Sequence, residues 1–270
     1  MTGSKRTGGE GMSRILVTGP NGFVGRYVMQ ALPEAVPLPR LRGEEPEVAA
    51  LVREADVIIH TAAISDTGRC EADPEASYRA NVLLPLWIAR AATHAKLVFF
   101  SSDQVYNGCE EDGPYREDTV RPLRVYARHK LEMEQRVLDL RPDAVLLRAT
   151  WMFDPGRGWL YNLLRSDGPV TAARQYRGVT WVKEAAENAI RASSLPGGVY
   201  NFGSENPLTM AELTRETLRL LGREQPVTEG EPRHNLWMDT GKAQKAGLRF
   251  RSSPEGVRAC IEEAKERDLL

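Results

Sequence analysis

Seven residues near the amino terminus constrain the fold of this chain more than any others. Gly19-Pro20-Asn21-Gly22-Phe23-Val24-Gly25 stand directly between an apolar run, Arg14 to Thr18, that reads as a strand and a segment from about Phe23 to Leu32 that reads as a helix. A glycine turn in that position has a physical meaning that the bare pattern lacks. Gly19 permits the tight turn, Gly22 lets a pyrophosphate approach the backbone, and Gly25 allows the helix to pack closely. The helix start then offers N–H donors and positive potential to an anion, with Asn21, Phe23 and Val24 beside it. The plainer alternative is a strand-to-helix turn with incidental glycines.

The chain repeats this alternation. Apolar runs at 35–38, 56–61, 96–102 and 143–148 read as strands, and segments at 46–54, 75–93 and 125–139 as helices, the pattern of β-α units wound into a parallel sheet. Asp56 to Thr61 is hydrophobic enough to be buried on both faces. Beyond Thr150 the order becomes irregular: a Gly/Trp-rich loop, a helix near 182–194, a strand at 198–202 and a helix after Thr209, which opens a capping box with Glu212. The expected fold class is α/β, a Rossmann-type doubly wound parallel sheet. Residues 12–150 form its nucleotide-binding core. Residues 151–270 form mainly a small substrate-binding lobe, with segments returning to the core, and 1–11 form a disordered extension.

Charge narrows the function classes. With 36 basic and 37 acidic residues the formal charge is -1, so no basic field exists to condense on nucleic acid or an anionic membrane. No apolar run reaches the length needed to cross a bilayer. Cys70, Cys109 and Cys260 are scattered and odd in number, which argues against a disulfide scaffold and points to a reducing cytoplasm. The four histidines have no metal-ligand spacing, so no metal is expected. A small-molecule substrate is the remaining partner class.

The cofactor candidate follows from the second strand. In NAD-binding units an acidic residue about 20 positions past the turn takes the ribose hydroxyls, whereas arginine accommodates a 2′-phosphate. Here the chain reads Pro39-Arg40-Leu41-Arg42 with no carboxylate before Glu44, which favours NADP(H) and leaves NAD(H) possible. Arg40 and Arg42 as ordinary solvated charges are the alternative. Tyr126 and Lys130 stand four apart, on one helix face, where a cation would favour the phenolate and lower the tyrosine pKa. Tyr126 would then exchange a proton with a carbonyl or carbinol oxygen. Ser102, ending the strand 96–102, would hydrogen-bond that oxygen. A helical surface pair and a turn hydroxyl are the plain alternatives.

Taken together, these residues resemble the extended short-chain dehydrogenases, and among them the dTDP-4-dehydrorhamnose reductase family. The resemblance runs from Arg14 to at least Gly203 and includes Asp56-Val57-Ile58-Ile59-His60-Thr61-Ala62-Ala63, Tyr78-Arg79-Ala80-Asn81, Ser101-Ser102-Asp103-Gln104-Val105-Tyr106-Asn107-Gly108, Tyr126 to Lys130, and Leu147-Arg148-Ala149-Thr150-Trp151. It implies Ser102, Tyr126 and Lys130 as catalytic, with Tyr126 the proton donor and Lys130 its activator and a ribose ligand. It implies Ala62, Ala63 and Asn81 beside the cofactor, and Asp103, Gln104 and Trp151 toward a nucleotide-sugar substrate whose 4-keto group is reduced. Relatives of this type are often homodimers. Gln104 replaces a usual aromatic residue and His129 a usual small one. A sugar-nucleotide epimerase is the neighbouring alternative, and a non-catalytic NADP-binding regulatory subunit the alternative from a different class. A dehydratase is disfavoured, because the carboxylate pair expected after the serine is Asp103-Gln104.

Overall fold

The structure, a computed structural model, describes residues 13–40 and 46–270. The extension expected at 1–11 and Arg42 lie outside the described residues. The chain opens with β1 (Ile15–Thr18), α1 (Gly25–Ala31), β2 (Val36–Pro37), α2 (Pro46–Arg53) and β3 (Val57–His60). Then come α3 (Thr67–Ala72), α4 (Pro74–Tyr78), a π-helical turn (Arg79–Leu83), α5 (Leu84–Ala91), β4 (Lys96–Ser102), a 3-10 turn (Asp103–Tyr106), α6 (Val125–Leu140) and β5 (Val145–Ala149). The remainder is β6 (Trp151–Phe153), α7 (Trp159–Leu164), β7 (Val170–Ala173), β8 (Val179–Trp181), α8 (Val182–Arg191), β9 (Gly198–Phe202), α9 (Met210–Leu220), β10 (Val227–Gly230), α10 (Gly241–Lys245) and α11 (Ser253–Glu266).

Six strands form one parallel sheet in the order β2-β1-β3-β4-β5-β9. Alternate residues of each strand point to opposite faces, so Leu16, Ile58, Leu97 and Leu146 join one core with Val82, Leu86, Met133 and Val137 of the helices. Val17, Ile59, Val98 and Leu147 join the other, with Val28 of α1 and Ala185 and Ala189 of α8. Burial on both faces is why these strands read as continuous apolar runs. The chain steps from β1 outward to β2 and then back across β1 to β3, which makes the carboxyl ends of β1 and β3 the crevice where such sheets take ligands.

The helix expected over 75–93 is divided. Pro85 has no N–H to give the carbonyl four residues back, and the backbone passes through the π-helical turn Arg79–Leu83 before α5 begins. That turn holds Asn81, fully buried. Beyond β5 a further apolar cluster of Phe153, Leu160, Trp181, Leu213, Val257 and Ile261 supports the added lobe, in which β6 pairs with β8 and β7 with β10. α8 and β9 return to the main sheet. No helix of the described residues is long and apolar enough to cross a membrane.

Candidate active site

The glycine turn is zipped to the end of β3. Gly19 adopts φ +63°, and a Cβ there would stand 3.0 Å from the Ala62 backbone. At Gly25 a Cβ would come within 2.1 Å of the Gly19 carbonyl oxygen, so no side chain fits. Thr61 Oγ1 donates to the Thr18 carbonyl at 2.7 Å, and the Ala62 N–H donates to Thr18 Oγ1 at 3.3 Å. The glycines thus let the turn close tightly on itself and on the Ala62 backbone, and its tip is accessible, with Asn21 and Gly22 exposed and Phe23 and Val24 half-buried, which fits an anion at the start of α1. Ala63 is exposed and Ala62 half-buried on the facing loop. Arg40 is exposed just past β2, after Leu38, whose N–H bonds the Val17 carbonyl at 2.8 Å.

Asn81 does not itself face this crevice as an open amide. Its Nδ2 donates to the Ile64 carbonyl at 3.0 Å and to Ser77 Oγ at 3.2 Å, while its Oδ1 accepts from the Ile64 N–H at 3.2 Å. Asn81 thereby supports the loop that carries Ala62 and Ala63, beside which it was expected.

Ser102, Tyr126 and Lys130 come together at the carboxyl end of β4, all three buried. Lys130 Nζ donates to the Phe100 carbonyl at 2.8 Å and lies 5.8 Å from the Tyr126 ring centroid. The Ser102 hydroxyl accepts from the Gln104 N–H and donates to Asp103 Oδ1, each at 3.2 Å. The expected lowering of the tyrosine by its lysine is not what prevails here. Burial holds the Tyr126 phenol well above the ordinary tyrosine range, and a hydrogen bond with Ser102 offsets only part of that. Tyr126 is therefore a phenol across the neutral range, equipped to give a proton. Burial also pushes Lys130 down to about 8, against the pull of Glu134 and Cys70.

That depression has a sign. The unfolded lysine keeps its proton up to the ordinary lysine range, so between about 8 and that range the unfolded chain binds more protons here than the native one, and stability from this group rises with pH. Urea unfolding of wild type and Lys130→Met, compared at pH 7 and pH 9.5, is expected to show wild type gaining on the variant as pH rises. A constant difference between the two would refute the shift.

Asp103 is 1% exposed, and both carboxylate oxygens are taken: Arg177 Nε and Nη2 donate to Oδ2 and Oδ1 at 2.9 and 3.1 Å. Expected toward the substrate, Asp103 here bonds Ser102, and the Arg177 donors compensate its charge. Gln104 is half-buried, and Trp151 is 38% exposed with the Arg177 guanidinium 5.1 Å from its ring.

Three groups escaped the sequence reading. Arg177 is one. Arg148 of β5 and Glu134 of α6 form a buried bidentate pair, Nε to Oε1 at 3.0 Å and Nη2 to Oε2 at 2.6 Å, and Arg148 Nη1 also donates to Tyr106 Oη and the Glu117 carbonyl. Glu134 stands one turn beyond Lys130 on the same helix. Asp154, buried after β6, accepts from Arg26 and from Tyr27 Oη of α1. Each partner is distant in sequence, so only residue type could have hinted at them.

The chain matches the model of the RmlD substrate binding domain family over residues 12–261. It is 34% identical over 155 residues to the dTDP-4-dehydrorhamnose reductase of Mycolicibacterium smegmatis, an alignment covering 54% of this chain and 47% of that protein, so it spans about half the length of that relative. To the dTDP-4-dehydrorhamnose reductase of Aggregatibacter actinomycetemcomitans it is 27% identical over 219 residues, covering 72% of this chain and 74% of the other. Its fold is similar to the crystal structure of dTDP-4-dehydrorhamnose reductase from Bacillus anthracis in complex with NADP, with a TM-score of 0.82 at 19% identity over 94% of this chain and 100% of that one.

Proposed function

The chain belongs to the RmlD substrate binding domain family, among the extended short-chain dehydrogenases, and on that footing we propose that it is an NADP(H)-dependent reductase of the 4-keto group on a nucleotide-linked deoxysugar. The observation that carries the reading is the buried cluster of Ser102, Tyr126 and Lys130 at the carboxyl end of β4, the strand next to β3 and so beside the crevice between β1 and β3. Reduction of a ketone needs a hydride on carbon and a proton on oxygen. A reduced nicotinamide supplies the hydride when bound, held through its pyrophosphate by the turn from Gly19 to Val24, with Ala62 and Ala63 lining it and Asn81 bracing their loop.

Tyr126 gives its phenolic proton to the carbonyl oxygen as negative charge develops there, which suits a group kept protonated by burial. Ser102 hydrogen-bonds the same oxygen and aligns it with Tyr126. Lys130, fixed on the Phe100 carbonyl, stands behind the phenol as a positive charge and a ribose ligand. Gln104 and the exposed face of Trp151 lie on the substrate side. Arg40 at the end of β2 is the group for a 2′-phosphate, which is why NADP(H) is preferred over NAD(H).

Fluorescence titration with NADPH and NADH, followed by cofactor consumption on adding a dTDP-4-keto-6-deoxyhexose, tests this. Tighter NADPH binding and NADPH consumption are expected. Tight binding without consumption would overturn the substrate assignment and favour a non-catalytic NADP-binding role.

A further inference from the structure

We infer that Arg177 is a positioning residue for Ser102, acting through the carboxylate of Asp103; this rests on the reductase reading above. Ser102 ends the interior strand β4 of the main sheet and Asp103 opens the 3-10 turn after it, whereas Arg177 comes from the segment leading into β8 of the added lobe. Its side chain crosses between them. Asp103 is buried, takes both Arg177 donors, and accepts the Ser102 hydroxyl on Oδ1 at 3.2 Å. The other side of the Ser102 oxygen is met by the Gln104 N–H. Besides Tyr126, two neighbours thus set the Ser102 hydroxyl, and one of those two is oriented by Arg177.

The segment that delivers Arg177 is itself held. Its carbonyl accepts from Asn206 Nδ2 at 3.0 Å, and the preceding Tyr176 carbonyl accepts from the Leu236 N–H at 2.9 Å. The following Gly178 has no room for a side chain, since a Cβ would lie 2.2 Å from the Ser204 carbonyl oxygen. The guanidinium then rests on Trp151, whose exposed face borders the substrate side. A planar bidentate donor is what this geometry requires, and lysine would not reproduce it.

The charge matters as well as the direction. An uncompensated buried carboxylate next to Ser102 would hold the hydroxyl proton for itself and deny it to a carbonyl oxygen. The titratable and charged groups that face Tyr126 are Asp103 from the 3-10 turn, the Cys70 thiol from α3, Lys130 on its own helix and Arg177 from the lobe. Asp103 and Cys70 favour the phenol, and Arg177 opposes them. In reduction the phenol is the active form, and Arg177 is one of the groups whose charge bears on it.

The test compares wild type, Arg177→Met and the double variant Asp103→Asn with Arg177→Met, measuring kcat, KM and NADPH affinity of folded protein. For Arg177→Met a fall in kcat of roughly 10²-fold is expected, the size of a misplaced catalytic group, with KM and NADPH affinity within about threefold. The double variant, with no stranded carboxylate, is expected to keep kcat low, because Ser102 still lacks its oriented neighbour. An Arg177→Met enzyme that keeps kcat, or that loses only KM, would overturn the positioning role, as would a double variant that recovers wild-type kcat. Wild type without any turnover on the keto sugar would instead overturn the reductase reading, and this inference with it.

Discussion

Tyr126→Phe is expected to lower the rate of ketone reduction by about 10²- to 10⁴-fold, the usual contribution of a positioned proton donor, while leaving NADPH affinity within about twofold. The ring remains, so packing against Lys130 is kept and only the hydroxyl is lost. Burial already holds that hydroxyl protonated, so its removal takes away a donor present at every neutral pH. Steady-state NADPH consumption and a fluorescence titration on the same preparation separate the two effects. Turnover within threefold of wild type would remove Tyr126 from the chemistry.

The second large effect is on stability. Arg148→Met leaves the Glu134 carboxylate buried without its bidentate partner and strips a donor from Tyr106 and from the Glu117 carbonyl. Breaking a buried pair from one side costs about 3–5 kcal/mol, because the remaining charge has no water to turn to. Urea unfolding is the measurement, and a loss under about 1 kcal/mol would show that the pair is not desolvated. Arg148→Met with Glu134→Leu is expected to recover most of the loss, since two apolar groups of similar size need no partner. Tyr106 also donates to Asn201 Oδ1 at 2.6 Å, and Asn201 holds the carbonyls of Tyr115 and Asp239. The pair thus braces α6, with Lys130 and Tyr126 on it, against β5 and β9.

Much of the sheet is legible in the sequence, because strands buried on both faces advertise themselves as unbroken apolar runs: VIIH in β3 and KLVFFSS in β4 need no partner to be seen. The lobe strands are different. β6 and β8 have three residues each, and Val170 of β7 pairs with Val227 of β10, so their pairing lies in contacts far along the chain and not in any local period. α11 carried the same signal as α9, a serine followed by glutamate three later with apolar residues Val257, Cys260, Ile261 and Ala264 at helical spacing, and only the one at Thr209 was read. At the candidate site the spacing of Tyr126 and Lys130 placed both on one face, but burial, which raises the one and lowers the other, is a tertiary property. Arg177 gives no local sign of its role, because its partner Asp103 lies 74 residues earlier.

The sixth strand has a consequence for how the protein is made. β5 ends at Ala149, but its outer neighbour β9 begins only at Gly198, after β6, α7, β7 and β8 have been threaded through the lobe and α8 has returned to the sheet. At a translation rate of roughly 5–20 residues per second, the nascent chain carries an unpaired β5 edge for several seconds. Val145, Leu147 and Ala149 on that strand await Ala185 and Ala189 of α8 over the same interval. During synthesis the outer edge of β5 is therefore an open template for other strands until β9 has been made.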